Sequence, residues 1–154
     1  MRTPLPATRP IGLLIATALA LSGCAATQVA ISNTIGAAGP RDVAATTAYL
    51  LETIPAARLA LHFHDTYGTA LANVLAGLEL GISTFDASTA GLGGCPYAPG
   101  AAGNLATEDL VYMLERSGVE TGVDLEALVA AGARMAEGLG RRPSSRQWGR
   151  LQSR

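Results

Sequence analysis

At 154 residues the chain is long enough for one domain with a buried core, and 49% apolar against 15% charged residues excludes a disordered chain. The net charge of −1 gives no electrostatic footprint for nucleic acid, and the basic residues are all arginine. Two cysteines, Cys24 and Cys95, are too few for a disulfide framework, and a reducing compartment is the simpler expectation for Cys95.

Residues 1–24 carry Arg2 and Arg9, an apolar run from Ile11 to Leu21, and then Leu21-Ser22-Gly23-Cys24, with no acid before Asp42. This is the build of a secretory leader, and LSGC resembles the lipobox of bacterial lipoproteins, in which the cysteine is lipidated. The run falls short of the roughly 20 residues that span a bilayer. The competing reading is an apolar helix belonging to a soluble fold.

From Gln28 to Ser32 a β-branched run predicts a strand, followed by a Gly/Pro turn. Residues 41–53 read as a helix with Val43, Leu50 and Leu51 near helical spacing, closed by Pro55. Arg58 to Phe63 is the next strand. Thr69 to Leu80 is a second helix, with Leu71, Val74, Leu75 and Leu78 on one face and Gly81 as its stop. Ser83 to Ser88 predicts a third strand. Thr107 then offers an N-cap, with Glu108 and Asp109 in a first turn where the helix dipole favours acids, and that helix runs to about Ser117. A last helix spans Asp124 to Glu137. The tail holds Arg141, Arg142, Arg146, Arg150 and Arg154, which follow no helical face and are expected to be solvated.

Strands alternating with helices indicate parallel βαβ units, of which three are visible. A closed (β/α)₈ barrel takes about 250 residues, so the expectation is an α/β fold forming the C-terminal part of such a barrel, about three βα units plus a C-terminal helix. The organisation expected is a leader-like or remnant helix at 1–24, the half-barrel at 25–140 and an Arg-rich tail at 141–154.

Two clusters carry chemistry. His62 and His64 are two apart on a strand, so both imidazoles face one side while Phe63 faces the helices. With Asp65 beside them, this pair favours a divalent-ion site over two unrelated core histidines. The second cluster is the glycine-rich run from Gly91 to Asn104. Cys95 lies there between Gly94 and Pro96, where little apolar packing is on offer and a reactive thiol is favoured over a buried one. Asn104, taken alone, reads as a turn or capping residue. The direction of Asp86 on its strand is undecided.

The segments HFHDTYGTALAN and DASTAGLGGCPYAPGAAGNLATEDLVYMLE closely resemble 3-hydroxy-3-methylglutaryl-CoA lyases, over about residues 25–140. The HxH strand and a later glycine–asparagine element are shared with the wider superfamily of isopropylmalate and homocitrate synthases, whereas the cysteine-bearing loop points to the lyases. The resemblance implies metal ligands at His62, His64 and Asn104, a catalytic thiol at Cys95 and a substrate loop including Gly93 and Gly94. It implies Mg²⁺ or Mn²⁺, an acyl-CoA substrate and cleavage to acetyl-CoA and acetoacetate.

The chain departs from that pattern in two places. The family's arginine–aspartate pair on its first strand, and a later glutamate, have no counterpart, and the family's DTIG is Asn33-Thr34-Ile35-Gly36 here. A truncated or split lyase is therefore expected, completed by an N-terminal half-barrel or a homo-oligomer. The alternative is a non-catalytic barrel remnant, lipid-anchored through Cys24. Acyl-CoA chemistry favours the cytoplasm, with the membrane involved only if LSGC is a true lipobox.

Overall fold

The computed structural model describes residues 28–94 and 103–153. The leader-like segment with Cys24, the loop residue Cys95 and Arg154 lie outside the described residues. Within them, β1 (Val29–Asn33), β2 (Leu59–Phe63) and β3 (Phe85–Asp86) form a parallel sheet in the order β1-β2-β3. The helices are α1 (Pro40–Leu51), α2 (Ala70–Glu79), α3 (Thr107–Arg116), α4 (Leu125–Gly138) and α5 (Arg146–Gln152). These three parallel strands do not close into a barrel.

Parallel neighbours need a crossover, and α1 and α2 supply the two here. α1 starts on Pro40, whose fixed φ suits the first helical position, and Asp42 reaches back to the Gly39 N–H at 3.0 Å. α2 ends at Gly81, which takes φ +82° and lets the Ile82 N–H return to Gly77 O at 3.1 Å. The register pairs Ile31 with Leu61, Ser32 with His62 and Asn33 with Phe63, then Leu61 with Phe85 and His62 with Asp86.

Strand alternation sends Ile31, Leu59, Leu61 and Phe63 to one face, where they form the core with Val43, Ala70, Val74, Ile82, Leu105 and Leu110. Each buried leucine or phenylalanine there contributes about 1.5–3 kcal/mol. α2 approaches closely because Gly77 has no side chain: a Cβ would meet Leu61 Cδ1 at 2.7 Å and Phe85 Cε1 at 3.0 Å. Leu75, expected on the buried face, is 48% exposed, and Asn73 and Gly77 take the buried positions beside Val74.

The third strand is shorter than the expected run from Ser83 to Ser88. After Asp86 the neighbour of β2 becomes the segment 103–106. The Leu105 N–H donates to Phe63 O at 3.0 Å while Leu105 O accepts the Ser88 N–H at 2.9 Å. The same insertion removes the need for a side-chain cap on α3. Its N-cap is Ala106, not Thr107, and the Thr107 N–H donates to Ser88 O at 3.0 Å.

The described tail arginines, Arg141, Arg142, Arg146 and Arg150, are exposed as expected, but the tail also folds onto the domain. Residues 146–152 form α5, and Ser145 and Gln147 are buried. One buried carboxylate organises this. Asp109 accepts the Ser145 hydroxyl at 3.1 Å and the backbone N–H groups of Arg146 and Gln147 at 3.0 Å each.

Candidate metal centre

The residue types of β2 alternate between two environments. Leu61 and Phe63 serve the core, and the positions between and after them bring His62 and His64 to the other face, with ring centroids 5.3 Å apart and planes inclined by 64°. His64 is buried, while His62 keeps 26% of its side chain accessible. Across the β2–β3 pair, Asp86 Oδ2 lies 3.8 Å from His62 Nδ1. Register decides the open question of Asp86: it is opposite His62 and on the same face. At that separation the contact is an ion pair rather than a hydrogen bond, and it sets the carboxylate beside the Nδ1 side of the ring.

Asn104 joins this face through the inserted segment. It pairs antiparallel with His64 across an isolated bridge, and the Asp65 N–H donates to Gly103 O at 3.3 Å beside it. The Asn104 amide Nδ2 donates to Leu92 O at 3.0 Å, which leaves the amide oxygen as the end a cation can use. Gly93 is required by this arrangement, since its φ is +108° and a Cβ would sit 2.5 Å from Asn104 Nδ2. Gly94 faces open space. The structure thus gathers His62, His64 and Asn104, with Gly93 against them, while Cys95 lies just beyond the described residues.

Among the described residues no three His, Cys, Asp or Glu side chains are clustered for a metal. The candidate donors on this face are two imidazoles and a carboxamide oxygen. That mixture fits a divalent ion with oxygen-ligand demand and open positions better than a closed structural zinc site.

Three acids support the site, two of them read from the sequence only as dipole partners. Asp65 Oδ1 accepts the Ala70 N–H at 2.9 Å and so anchors the start of α2, while its Oδ2 meets Arg146 at 3.2 Å. The Asp65 carboxylate raises the Arg146 pKa above its ordinary value. Glu108 is buried, and both its oxygens take the Ala90 N–H, at 2.7 and 3.0 Å. Burial pushes its pKa up, partly offset by hydrogen bonds from its own and the Ala90 backbone N–H. Asp109 holds α5, as described.

The two ends of the glycine-rich loop are packed on each other. Gly91 has φ +66°, and a Cβ there would collide with Ser144 Oγ; a Cβ on Gly103 would collide with Gly91 O. Glycines at 91 and 103 are thus dictated by close backbone approach, a cause that a glycine-rich sequence does not reveal on its own. Nothing local in the tail flags Arg146, whose contact with Asp65 spans 81 positions of sequence.

The profile of the HMGL-like family matches residues 8–134. Hydroxymethylglutaryl-CoA lyase YngG of Bacillus subtilis is 48% identical over 137 residues, which are 89% of this chain and 46% of that protein. The human mitochondrial hydroxymethylglutaryl-CoA lyase is 50% identical over 119 residues, 77% of this chain and 37% of its own length. Among solved structures, the Pseudomonas aeruginosa hydroxymethylglutaryl-CoA lyase superposes with TM-score 0.79 at 46% identity, covering 82% of this chain and 42% of that one. An Acinetobacter baumannii HMG-CoA lyase in complex with coenzyme A and 3-methylmalate gives 0.73 at 43% identity, covering 78% and 39%. The chain spans less than half the length of these relatives.

Proposed function

This chain belongs to the HMGL-like family, and from that premise we propose that it supplies the metal- and thiol-bearing part of a lyase that cleaves 3-hydroxy-3-methylglutaryl-CoA to acetyl-CoA and acetoacetate. The observation that carries this reading is the convergence of His62, His64 and Asn104 on one face, at the base of the loop that leads to Cys95.

His62 and His64 would hold a divalent ion, Mg²⁺ or Mn²⁺, through imidazole nitrogens, with Asn104 adding its amide oxygen. Asp86, beside Nδ1 of His62, would help orient the ring. When bound, the ion supplies Lewis-acid polarisation of substrate oxygens. A general base takes the proton of the substrate's tertiary hydroxyl, whose oxygen becomes the carbonyl of acetoacetate as the adjacent carbon–carbon bond breaks. The electron pair of that bond leaves as the enolate of acetyl-CoA. Cys95 returns a proton to the enolate carbon, and Gly93 and Gly94 allow the loop backbone to approach the acyl-CoA.

Turnover needs the remainder of the barrel. The arginine–aspartate pair that the family carries on its first strand has no match here, and the relatives are more than twice as long as the matched region. In this reading the rest of the barrel supplies that pair. The family match begins at residue 8, within the leader-like segment, which favours the remnant-helix reading of residues 1–24. No helix among the described residues is long and apolar enough to cross a membrane.

Isothermal titration of the purified chain with Mn²⁺ tests the site. Binding that is lost in His62→Ala and in His64→Ala is expected; binding unchanged by either substitution overturns the ligand assignment.

A further inference from the structure

We propose that Arg146, on the C-terminal helix, is a positioning residue for the metal face, acting through Asp65. The inference rests on the metal reading above. Arg146 belongs to the Arg-rich tail, 81 positions from Asp65 in sequence.

Asp65 is the point where three parts of the site meet. It follows His64 directly, its N–H donates to the carbonyl of Gly103, the neighbour of Asn104, and its Oδ1 starts α2 through the Ala70 N–H. Only Oδ2 is left to choose an orientation for the carboxylate. Arg146 Nη1 takes that oxygen at 3.2 Å and lies 3.5 Å from Asp109 Oδ2.

The guanidinium head is therefore shared between one carboxylate at the site and one buried under α5. Asp109 cannot swing away, because it also holds Ser145, Arg146 and Gln147 through their N–H and hydroxyl groups. A second tie runs in parallel, with the Ser144 N–H and hydroxyl both donating to Ala90 O, at 3.0 and 3.3 Å. The segment 144–147 thus fastens the residue after His64 and the base of the glycine loop to one rigid support.

An exposed ion pair adds little to stability, about 0–1 kcal/mol. Arg146 keeps 62% of its side chain accessible, so its removal is expected to act on geometry at Asp65 rather than on folding. Because a single nitrogen makes both contacts, a lysine ammonium can replace it.

The test is Mn²⁺ titration of the full chain with Arg146→Ala, Arg146→Lys and, as a charge control on the same helix, Arg150→Ala. Arg150 donates to Gln147 at 2.8 Å and touches neither Asp65 nor Asp109 through any described bond. Expected are a roughly tenfold weaker Kd for Arg146→Ala, recovery to within about threefold for Arg146→Lys, and no change for Arg150→Ala, with far-UV circular dichroism unchanged in all three. Unchanged affinity in Arg146→Ala overturns the proposal while leaving the metal reading intact. Equal weakening in Arg146→Ala and Arg150→Ala, or no recovery by lysine, also overturns it. Should Arg146→Ala lose α5, Arg146→Gln, which keeps the side-chain stem on the helix and removes the charge, decides in its place: weakened binding supports the proposal and unchanged binding overturns it. No Mn²⁺ binding by the unaltered chain overturns the metal reading, and this proposal with it.

Discussion

Glu108 grips the backbone N–H of Ala90 with both carboxylate oxygens, at 2.7 and 3.0 Å, across eighteen positions of sequence. Ala90 needs such a hold. Its φ of +58° lies in the left-handed region, which costs a residue with a Cβ about 1–2 kcal/mol. Ala90 O in turn accepts from Ser144, so a buried acid on α3 sets the residue from which the glycine loop departs.

Removing that grip has a measurable sign. Glu108→Ala leaves the Ala90 N–H without its acceptor and is expected to cost about 1–3 kcal/mol in urea unfolding. Burial raises the Glu108 pKa, so the stability linked to this group is full below its unfolded-chain pKa and is lost as pH rises through the folded value. Glu108→Gln should flatten the dependence of unfolding free energy on pH across that mildly acidic window. An identical slope in the two proteins would refute the assignment.

Asp86 is half-exposed and lies 3.8 Å from His62, so its removal should leave folding nearly untouched, within about 0.5 kcal/mol. Its effect belongs to the metal. Asp86→Ala is expected to weaken Mn²⁺ binding by about 10–100-fold in isothermal titration, as loss of an outer-shell carboxylate does. Full-strength binding would show that His62 is oriented by something else.

Gly77 is the contact point of α2 with the sheet. Gly77→Ala forces a methyl group against Leu61 and Phe85, the residues flanking His62 on β2 and beside it on β3. The expected loss is about 1–3 kcal/mol from overpacking, read by thermal melting. A melting curve unchanged from the parent would mean that α2 lifts away without cost.

The loop glycines should separate into two groups. Gly91→Ala and Gly103→Ala meet backbone or Ser144 at once, and each should lower stability by more than about 1 kcal/mol. Gly94→Ala meets nothing within 4 Å and should be close to neutral in the same denaturation assay. Equal effects at all three positions would contradict the packing of the loop ends.

Much of this was legible in residue patterns, and the exceptions share a cause. Alternation alone turns His62 and His64 to one side and Phe63 to the core, because a strand has period two. Gly81 announces the end of α2 because only its backbone freedom suits that position. Asp86 was undecidable, since a strand of two residues has no alternation to read and its direction comes from pairing with His62. Glu108 and Asp109 fit the first turn of a helix locally, and nothing local says that one reaches Ala90 and the other Ser145. α5 was hidden for the same reason: seven residues cannot hold a helix by propensity, and the carboxylate that starts this one is 37 positions away.

The order β1-β2-β3 also has a dynamic consequence. β2 is hydrogen-bonded on both sides, whereas β1 and β3 each pair with β2 alone among the named strands. Sheets fray from their margins inward, so amide exchange should be fastest along Val29–Asn33 and slowest around Leu61 and His62. A partner joining or leaving at β1 therefore works on a strand that can loosen while both imidazoles keep their places. The imidazole pair is carried by the last part of the sheet to come apart.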